Sequence, residues 1–337
     1  MGVAIVARMK VVFFHRKPRP NYNFSVENLF GQIRAAFKPE VEWEVKELSF
    51  YSEGFFKRLF IGFEAAFNQK GINHITGDVN FIGIFLRKRK TILTMLDVGF
   101  MNHPNPLARW ILKWFWIILP VKRARMVTTI SQATKSEVLK YVNVNPDKIK
   151  VVYVPILSSF KPHPKEFNKT RPVILQIGTK VNKNVMRLVE ALNGIPCQLE
   201  IVGEVSAGLK MQLDKYKVDY RSSKNLSNEE VMNQYKKADI ISFVSTYEGF
   251  GMPIVEANAV GRVVVTSNLL SMPEVAGDAA HLVNPFDVRS IREGILKVIG
   301  DDIYREKLIE NGFVNWRRFD ASQIAAAYTD LYRNMAE

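Results

Sequence analysis

The sequence predicts an α/β protein made of two doubly wound, parallel-sheet domains of Rossmann-like type. Three observations carry that expectation. The chain has 337 residues, more than the ~250–300 at which a single core stops growing. Short apolar or β-branched runs alternate with helical patterns along its whole length, as in βαβ units. A proline-punctuated stretch at 155–172, with Pro155, Pro162, Pro164 and Pro172, has little periodicity and reads as a linker.

In the first half, strands are expected at residues 11–14, 41–48, 73–76, 91–97, 126–130 and 150–154. Most of these runs are apolar enough to be buried on both faces, and only 41–48 alternates as a strand with one wet side. Helical patterns cover 25–37 and 132–141. In the second half, strands are expected at 173–177, 198–202, 240–244, 263–266 and 281–283, with helices at 184–192, 228–237 and 253–260. Residues 302–335 read as long helical segments anchored by Trp316 and Phe319. The expected division is 1–160 and 161–317, with a last helix at about 318–337 packing back on the first domain.

Composition narrows the partners. Residues 1–160 hold 24 Lys and Arg against 11 Asp and Glu, a net +13, whereas 161–337 hold 23 against 22, a net +1. Such an asymmetry calls for an anionic partner: nucleic acid, an acidic lipid surface or a phosphorylated substrate. The lone Cys197 excludes an internal disulfide framework. The most apolar window, 110–120, is broken by Lys113 and closed by Pro120, too short for a span of roughly 20 residues. No signal peptide is recognisable, and residues 1–8 read as an extension ahead of the first strand. There is no Gly-x-Gly-x-x-Gly after the first strand, no P-loop, no Asp-x-Asp and no cluster with metal-ligand spacing.

Two segments carry chemistry. In the run from Ser242 to Gly261, a buried strand ends, a glycine-rich turn follows, and a helix begins near Pro253. The N–H groups of Gly249 to Met252 would then face a phosphate at the carboxyl edge of a sheet. Glu248 falls on the turn and Glu256 one turn into the helix, and two such carboxylates suit sugar hydroxyls because each accepts paired hydrogen bonds. The segment from Ile174 to Asn184 repeats the strand, Gly178 turn and helix start, with Lys183 placed to meet a diphosphate.

The Glu248…Glu256 spacing around Glu-Gly-Phe-Gly-Met-Pro, together with Gly178-Thr179…Lys183-Asn184, resembles the retaining nucleotide-sugar glycosyltransferases of family 4. Ser131-Gln132-Ala133-Thr134 and Pro273-Glu274 through Ala280 also resemble segments of that family. The resemblance implies the GT-B fold, in which two Rossmann-like domains face each other across a cleft. It assigns donor binding to Gly178, Thr179, Lys183, Phe250, Gly251, Met252, Pro253 and Glu256. Glu256 would hold the ribose hydroxyls, Glu248 the transferred sugar, and Lys183 the leaving diphosphate. Where the family places a second basic residue this chain has Asn182, which leaves Lys180 or Arg221 to supply that charge. With Lys183 and helix dipoles carrying leaving-group charge, neither a cofactor nor an obligatory metal is implied.

The first domain departs from the family. The usual His-Asp pair is Leu96-Asp97 here, so Asp97 is kept as a catalytic candidate and the histidine is missing. His74 and Asp78, at another strand end, are candidates to line the cleft on the acceptor side. The basic loop from His15 to Ser25 would border that side, and Trp110, Trp114 and Trp116 with Lys113 and Lys122-Arg123 suggest an interfacial helix. The reading is a hexosyltransferase of cell-surface polysaccharide synthesis acting on a saccharide, lipid-linked acceptor. It would work in the cytoplasm at the inner face of an anionic membrane, with no nucleic acid involved. Two alternatives stay open: a basic nucleic-acid-binding protein, though no such motif is visible, and a catalytically silent sugar-nucleotide-binding subunit, motivated by Leu96.

Overall fold

The computed structural model describes residues 8–18 and 25–336. The basic loop is therefore described only at its two ends, and the proposed extension at residues 1–8 lies almost wholly outside the described residues. Contacts divide the chain into two compact units: everything up to Pro155 together with Asp320 onward, and Ile156–Phe319.

In the first unit the chain runs β1 (Met9–His15), α1 (Ser25–Ala35), β2 (Val41–Glu47), α2 (Phe55–Phe67), β3 (Ile72–Ile75) and β4 (Thr91–Met95). Then come α3 (Pro106–Leu112), a π-helical turn (Lys113–Ile118), α4 (Leu119–Arg123), β5 (Met126–Thr129), α5 (Gln132–Tyr141) and β6 (Ile149–Val151). The six strands form one parallel sheet in the order β2-β1-β3-β4-β5-β6. Order reverses at β1, because β2 lies on one side of it and β3 on the other. Ser131 caps α5 by accepting from the Thr134 N–H at 3.0 Å, which accounts for that segment locally.

The second unit runs β7 (Val173–Ile177), α6 (Val185–Ala191), β8 (Gln198–Val202), α7 (Ala207–Lys215), β9 (Tyr220–Ser223), α8 (Asn228–Lys237) and β10 (Ile240–Phe243). It continues through α9 (Met252–Val260), β11 (Val263–Ser267), α10 (Ser271–Ala276), β12 (His281–Val283), α11 (Val288–Gly300) and α12 (Asp302–Asn315). Its sheet is parallel in the order β12-β11-β10-β7-β8-β9. After α12 and a short 3₁₀ turn, α13 (Ala321–Ala336) belongs to the first unit. β9, whose Tyr-Arg-Ser-Ser is too polar to signal a buried strand, is the strand that apolar patterning misses.

Three expectations need correction. β2 is not a strand with one wet face: it is the edge of its sheet, with Trp43 and Val45 exposed as well as its glutamates. His74 lines no cleft. It is fully buried under α13, Nδ1 2.7 Å from the Tyr332 hydroxyl and Nε2 2.7 Å from Thr94 Oγ1. Thr94 in turn meets Thr128 at 2.6 Å and Tyr328 at 3.3 Å, so two tyrosines of α13 plug into a polar spot in an apolar core. The tryptophans also divide: Trp116 is core, its indole N–H donating to the Asp78 carbonyl at 2.9 Å, whereas Trp110 and Trp114 are exposed. The π turn inserted into the otherwise continuous helix 106–123 shifts its register, so the tryptophans do not share the one interfacial face that the spacing suggested.

The first unit thus holds two neutral imidazoles where charge is expensive. Burial lowers His74 well below its usual value and lowers His15 to about 3, with Arg34 and Arg16 adding repulsion. The unfolded chain takes up these protons below pH 6.5 and the folded unit does not, so its stability falls as pH drops. Amide exchange in β1 and β3 should report an opening free energy that declines between pH 7 and 5, with a slope approaching about 2.7 kcal/mol per pH unit for two protons. Protection unchanged down to pH 5 would contradict buried neutral histidines.

Candidate functional site

The site of the second unit follows from strand order. The chain builds β7, β8 and β9 outward, then returns to place β10 on the other side of β7, with Ser242 level with Gln176. Ligands in open α/β sheets bind at such a reversal, outside the carboxyl ends of the strands. The two loops that leave this point are those after β7 and after β10, which contain Gly178–Lys183 and Glu248–Met252.

Gly178 takes φ +82°, and its N–H donates to the Val202 carbonyl at 2.7 Å. A Cβ there would stand 3.2 Å from Lys183 Cε, so the glycine lets the lysine stem lie across the turn. Thr179 is pressed by the backbone of Gly203, where a Cβ would approach to 2.9 Å. Asn184 is left-handed and buried, its amide donating to the Val244 and Pro285 carbonyls at 3.0 and 2.6 Å. That bond staples the start of α6 to the end of β10 and fixes Lys183, the residue before it.

Lys183 Nζ lies 2.7 Å from Glu248 Oε1 and 4.8 Å from the centroid of the Phe243 ring. Asn182 donates to the same carboxylate oxygen at 3.2 Å and to the Tyr247 carbonyl at 3.0 Å. Both charged side chains of the pair are mostly shielded, at 19% and 16% exposure, so the attraction is only partly screened. Ser271 Oγ contacts the Glu248 and Phe250 carbonyls at 3.0 and 2.7 Å, which holds the turn between them. Gly251, at φ +116°, leads into α9, with Met252 and Pro253 in its first turn.

Glu256 projects from α9. Its Oε2 accepts from the Tyr235 hydroxyl at 2.5 Å, and burial pushes its carboxyl up to about 6 despite that bond and the nearby Lys183 charge. Tyr235 itself is fully buried, edge-on to Phe160 at 5.4 Å, and its carbonyl accepts from Arg262 at 3.1 Å. Gln176 Oε1, Ser242 Oγ and Ser245 Oγ are buried near the same strand ends with no hydrogen-bond partner.

The structure therefore brings Gly178, Thr179, Lys183, Glu248, the Phe250–Pro253 turn and Glu256 to one strand-order reversal. It does not bring Arg221 there. That residue stands level with Glu200, two positions before the end of β9, and lines a separate pocket of about 610 Å³ with Gln198, Gln234 and Lys237. Asp97 belongs to the first unit, where it is exposed and accepts from the Gly99 N–H at 2.8 Å. Asp78, also in that unit, pairs with Arg16 at 3.3 Å. Tyr235 and Ser271 were missed by sequence reasoning: Tyr235 shows only as the one aromatic of a largely polar helix, and Ser271 has no local signal. Gln176 and Ser242 do leave one, a polar residue inside an apolar strand.

Residues 159–314 match the family model for glycosyl transferases group 1. The chain is 26% identical over 275 residues to the O-antigen chain mannosyltransferase B of Escherichia coli, covering 73% of this chain and 71% of that protein. It is 22% identical to the serotype-specific mannosyltransferase WbdA of the same organism, but spans only 28% of that longer protein. Among solved structures, Anabaena HepE in complex with UDP-glucose superposes with a TM-score of 0.78 at 16% identity, covering 97% of this chain and 100% of the other. A glycosyltransferase from Rickettsia africae gives 0.74 at 18% identity, with 98% and 99% coverage. Two parallel six-stranded units of this type give the chain the GT-B fold of these glycosyltransferase structures. The similarity to the group 1 glycosyl transferases falls within the second unit.

The Tyr235 bond favours ionised Glu256, so its loss should raise the carboxyl further. In the Tyr235→Phe variant, the ¹³C carboxyl signal of Glu256 should titrate at a higher pH than in the wild type, where the transition is expected near pH 6. An unchanged midpoint would show that the hydroxyl does not set the charge of this residue.

Proposed function

We propose that the protein is a retaining hexosyltransferase. It moves a sugar from a nucleoside diphosphate to a hydroxyl of a saccharide, lipid-linked acceptor in polysaccharide synthesis. The observation that carries this reading is the shielded Lys183–Glu248 pair at the strand-order reversal, with buried Glu256 one turn into the helix that follows. The relatives, named as O-antigen chain mannosyltransferases, support mannose as the hexose to test first.

Without donor, the pair neutralises two charges that are each costly to leave alone in a partly dry site. A bound donor exchanges both partners. Its diphosphate takes the Lys183 ammonium, and its sugar hydroxyls take the Glu248 carboxylate that the lysine vacates. The N–H groups at the start of α9 face the same phosphates, and Glu256, held by Tyr235, accepts from the ribose hydroxyls. As the glycosidic bond to phosphate breaks, charge grows on the diphosphate, where Lys183 is already placed to stabilise it. In this reading the reaction needs no cofactor and no obligatory metal.

The first unit, with its excess of positive charge, is assigned to the acceptor, and Asp97 to that side of the reaction. Among the described residues no helix is long and apolar enough to cross a membrane. Contact with an anionic membrane from the cytoplasmic side is proposed instead, through the exposed Trp110 and Trp114 beside Lys113.

Glu256→Ala should abolish calorimetric binding of the nucleotide sugar, and unchanged affinity would remove the ribose assignment. Lys183→Ala should lower turnover more than tenfold, chiefly in kcat, because its charge matters most as the diphosphate leaves. Wild-type turnover in that variant would end the leaving-group role.

A further inference from the structure

The helix α2 is inside out. Its inner face carries one large residue and two small ones: Ile61, Gly62 and Ala65 are buried against the core, and a Cβ on Gly62 would come within 2.5 Å of the Phe85 ring. Its phenylalanines face away. Phe56, Phe60, Phe63 and Phe67 recur at i, i+4, i+7 and i+11, so they form one stripe along the helix, and they are 83%, 54%, 51% and 87% exposed. Phe55, at 72%, extends it, and Phe50 packs edge-on against Phe60 at 5.2 Å. An ordinary surface helix shows the reverse arrangement.

Glu64, the one acidic residue of α2, is paired with Lys46 at 3.0 Å and accepts hydrogen bonds from Ser49. Lys57 and Arg58 occupy the first turns, and Arg58 lies over the Trp116 ring at 4.9 Å. That contact joins α2 to the segment carrying exposed Trp110, Trp114 and Phe115. The chain has no Asp or Glu between residues 98 and 136, where it has Arg109, Lys113, Lys122, Arg123, Arg125 and Lys135. Apolar rings beside a stretch that carries six cations and no acid match a surface of apolar chains under anionic headgroups.

We propose that the phenylalanine stripe of α2 inserts into an anionic lipid bilayer and is the main apolar anchor of the first unit. The proposal rests on the membrane contact inferred above and deepens it: α2 supplies the buried area, and the α3 segment supplies rings and charge at the headgroups. Because the stripe runs the length of the helix, α2 lies along the bilayer surface and does not enter it end-on.

Co-sedimentation of the full chain with vesicles of phosphatidylglycerol and phosphatidylcholine, against phosphatidylcholine alone, tests this. The wild type should bind the anionic vesicles and not the neutral ones. The triple variant Phe56→Ser, Phe60→Ser, Phe67→Ser should lose at least tenfold in vesicle affinity while keeping its thermal midpoint and its nucleotide-sugar affinity. Should it lose its midpoint as well, Phe67→Ser alone, at the most exposed position, should still weaken binding several-fold. Full vesicle binding by the triple variant, with loss in Trp110→Ser, Trp114→Ser, would overturn the role of α2 and leave the membrane contact standing. Absence of wild-type binding to either vesicle would overturn both, while donor binding in the same preparation keeps the glycosyltransferase reading separate. A concentration-dependent dimer that the triple variant dissolves would assign the stripe to a second copy and overturn the lipid proposal.

Discussion

The second unit depends on the pairing of β10 with β7. Because β10 returns to the far side of β7 and does not extend the run through β9, two loops distant in sequence leave the sheet side by side. The contacts between the two loops follow from that adjacency. Asn184 reaches across to the end of β10, the Thr246 N–H donates back to the Asn182 carbonyl at 2.8 Å, and Lys183 meets Glu248. The ion pair is thus a product of topology before it is a product of chemistry. It also keeps two opposite charges in place, the pair that the proposed donor exchange would open.

The first unit solves a different problem with the same architecture. Its sheet carries polar residues, His74, Thr94 and Thr128, on a face that must be covered, and α13 covers it with tyrosines, which combine an apolar ring with a hydroxyl. The chain leaves this unit at Pro155 and returns at Asp320 to supply that helix. Removal of α13 would therefore strip hydrogen bonds from buried groups as well as apolar area, a combined loss larger than either alone. On the opposite face α2 packs through Ile61, Gly62 and Ala65, which leaves its large rings outside.

Much of the fold was legible because parallel sheets bury both faces of their central strands, which makes β4, β7, β10 and β11 continuous apolar runs. Edge strands lack that signature. β9 is polar and passed as loop, and β2 alternates although both its faces are largely wet. The site was legible to the extent that it lies in local turns: Gly178 with Lys183, and Glu248 with Gly251 and Glu256. Arg221 shows the limit, since a basic residue of the right half can still stand below the sheet edge beside Glu200.

The sequence by itself determined the alternation of strands and helices, the two glycine turns and the placing of carboxylates and lysine on them, because each is written within a dozen neighbouring residues. Only the tertiary structure decided that Tyr235 holds Glu256, that Asn182 shares the Glu248 oxygen with Lys183, that His74 is core, and that α2 turns its phenylalanines outward. Each of these is a pairing between residues far apart in the chain or a choice of helix face. Local propensity is blind to both: a stripe of phenylalanine at helical spacing reads alike whether it faces a sheet or the outside, and packing alone selects which.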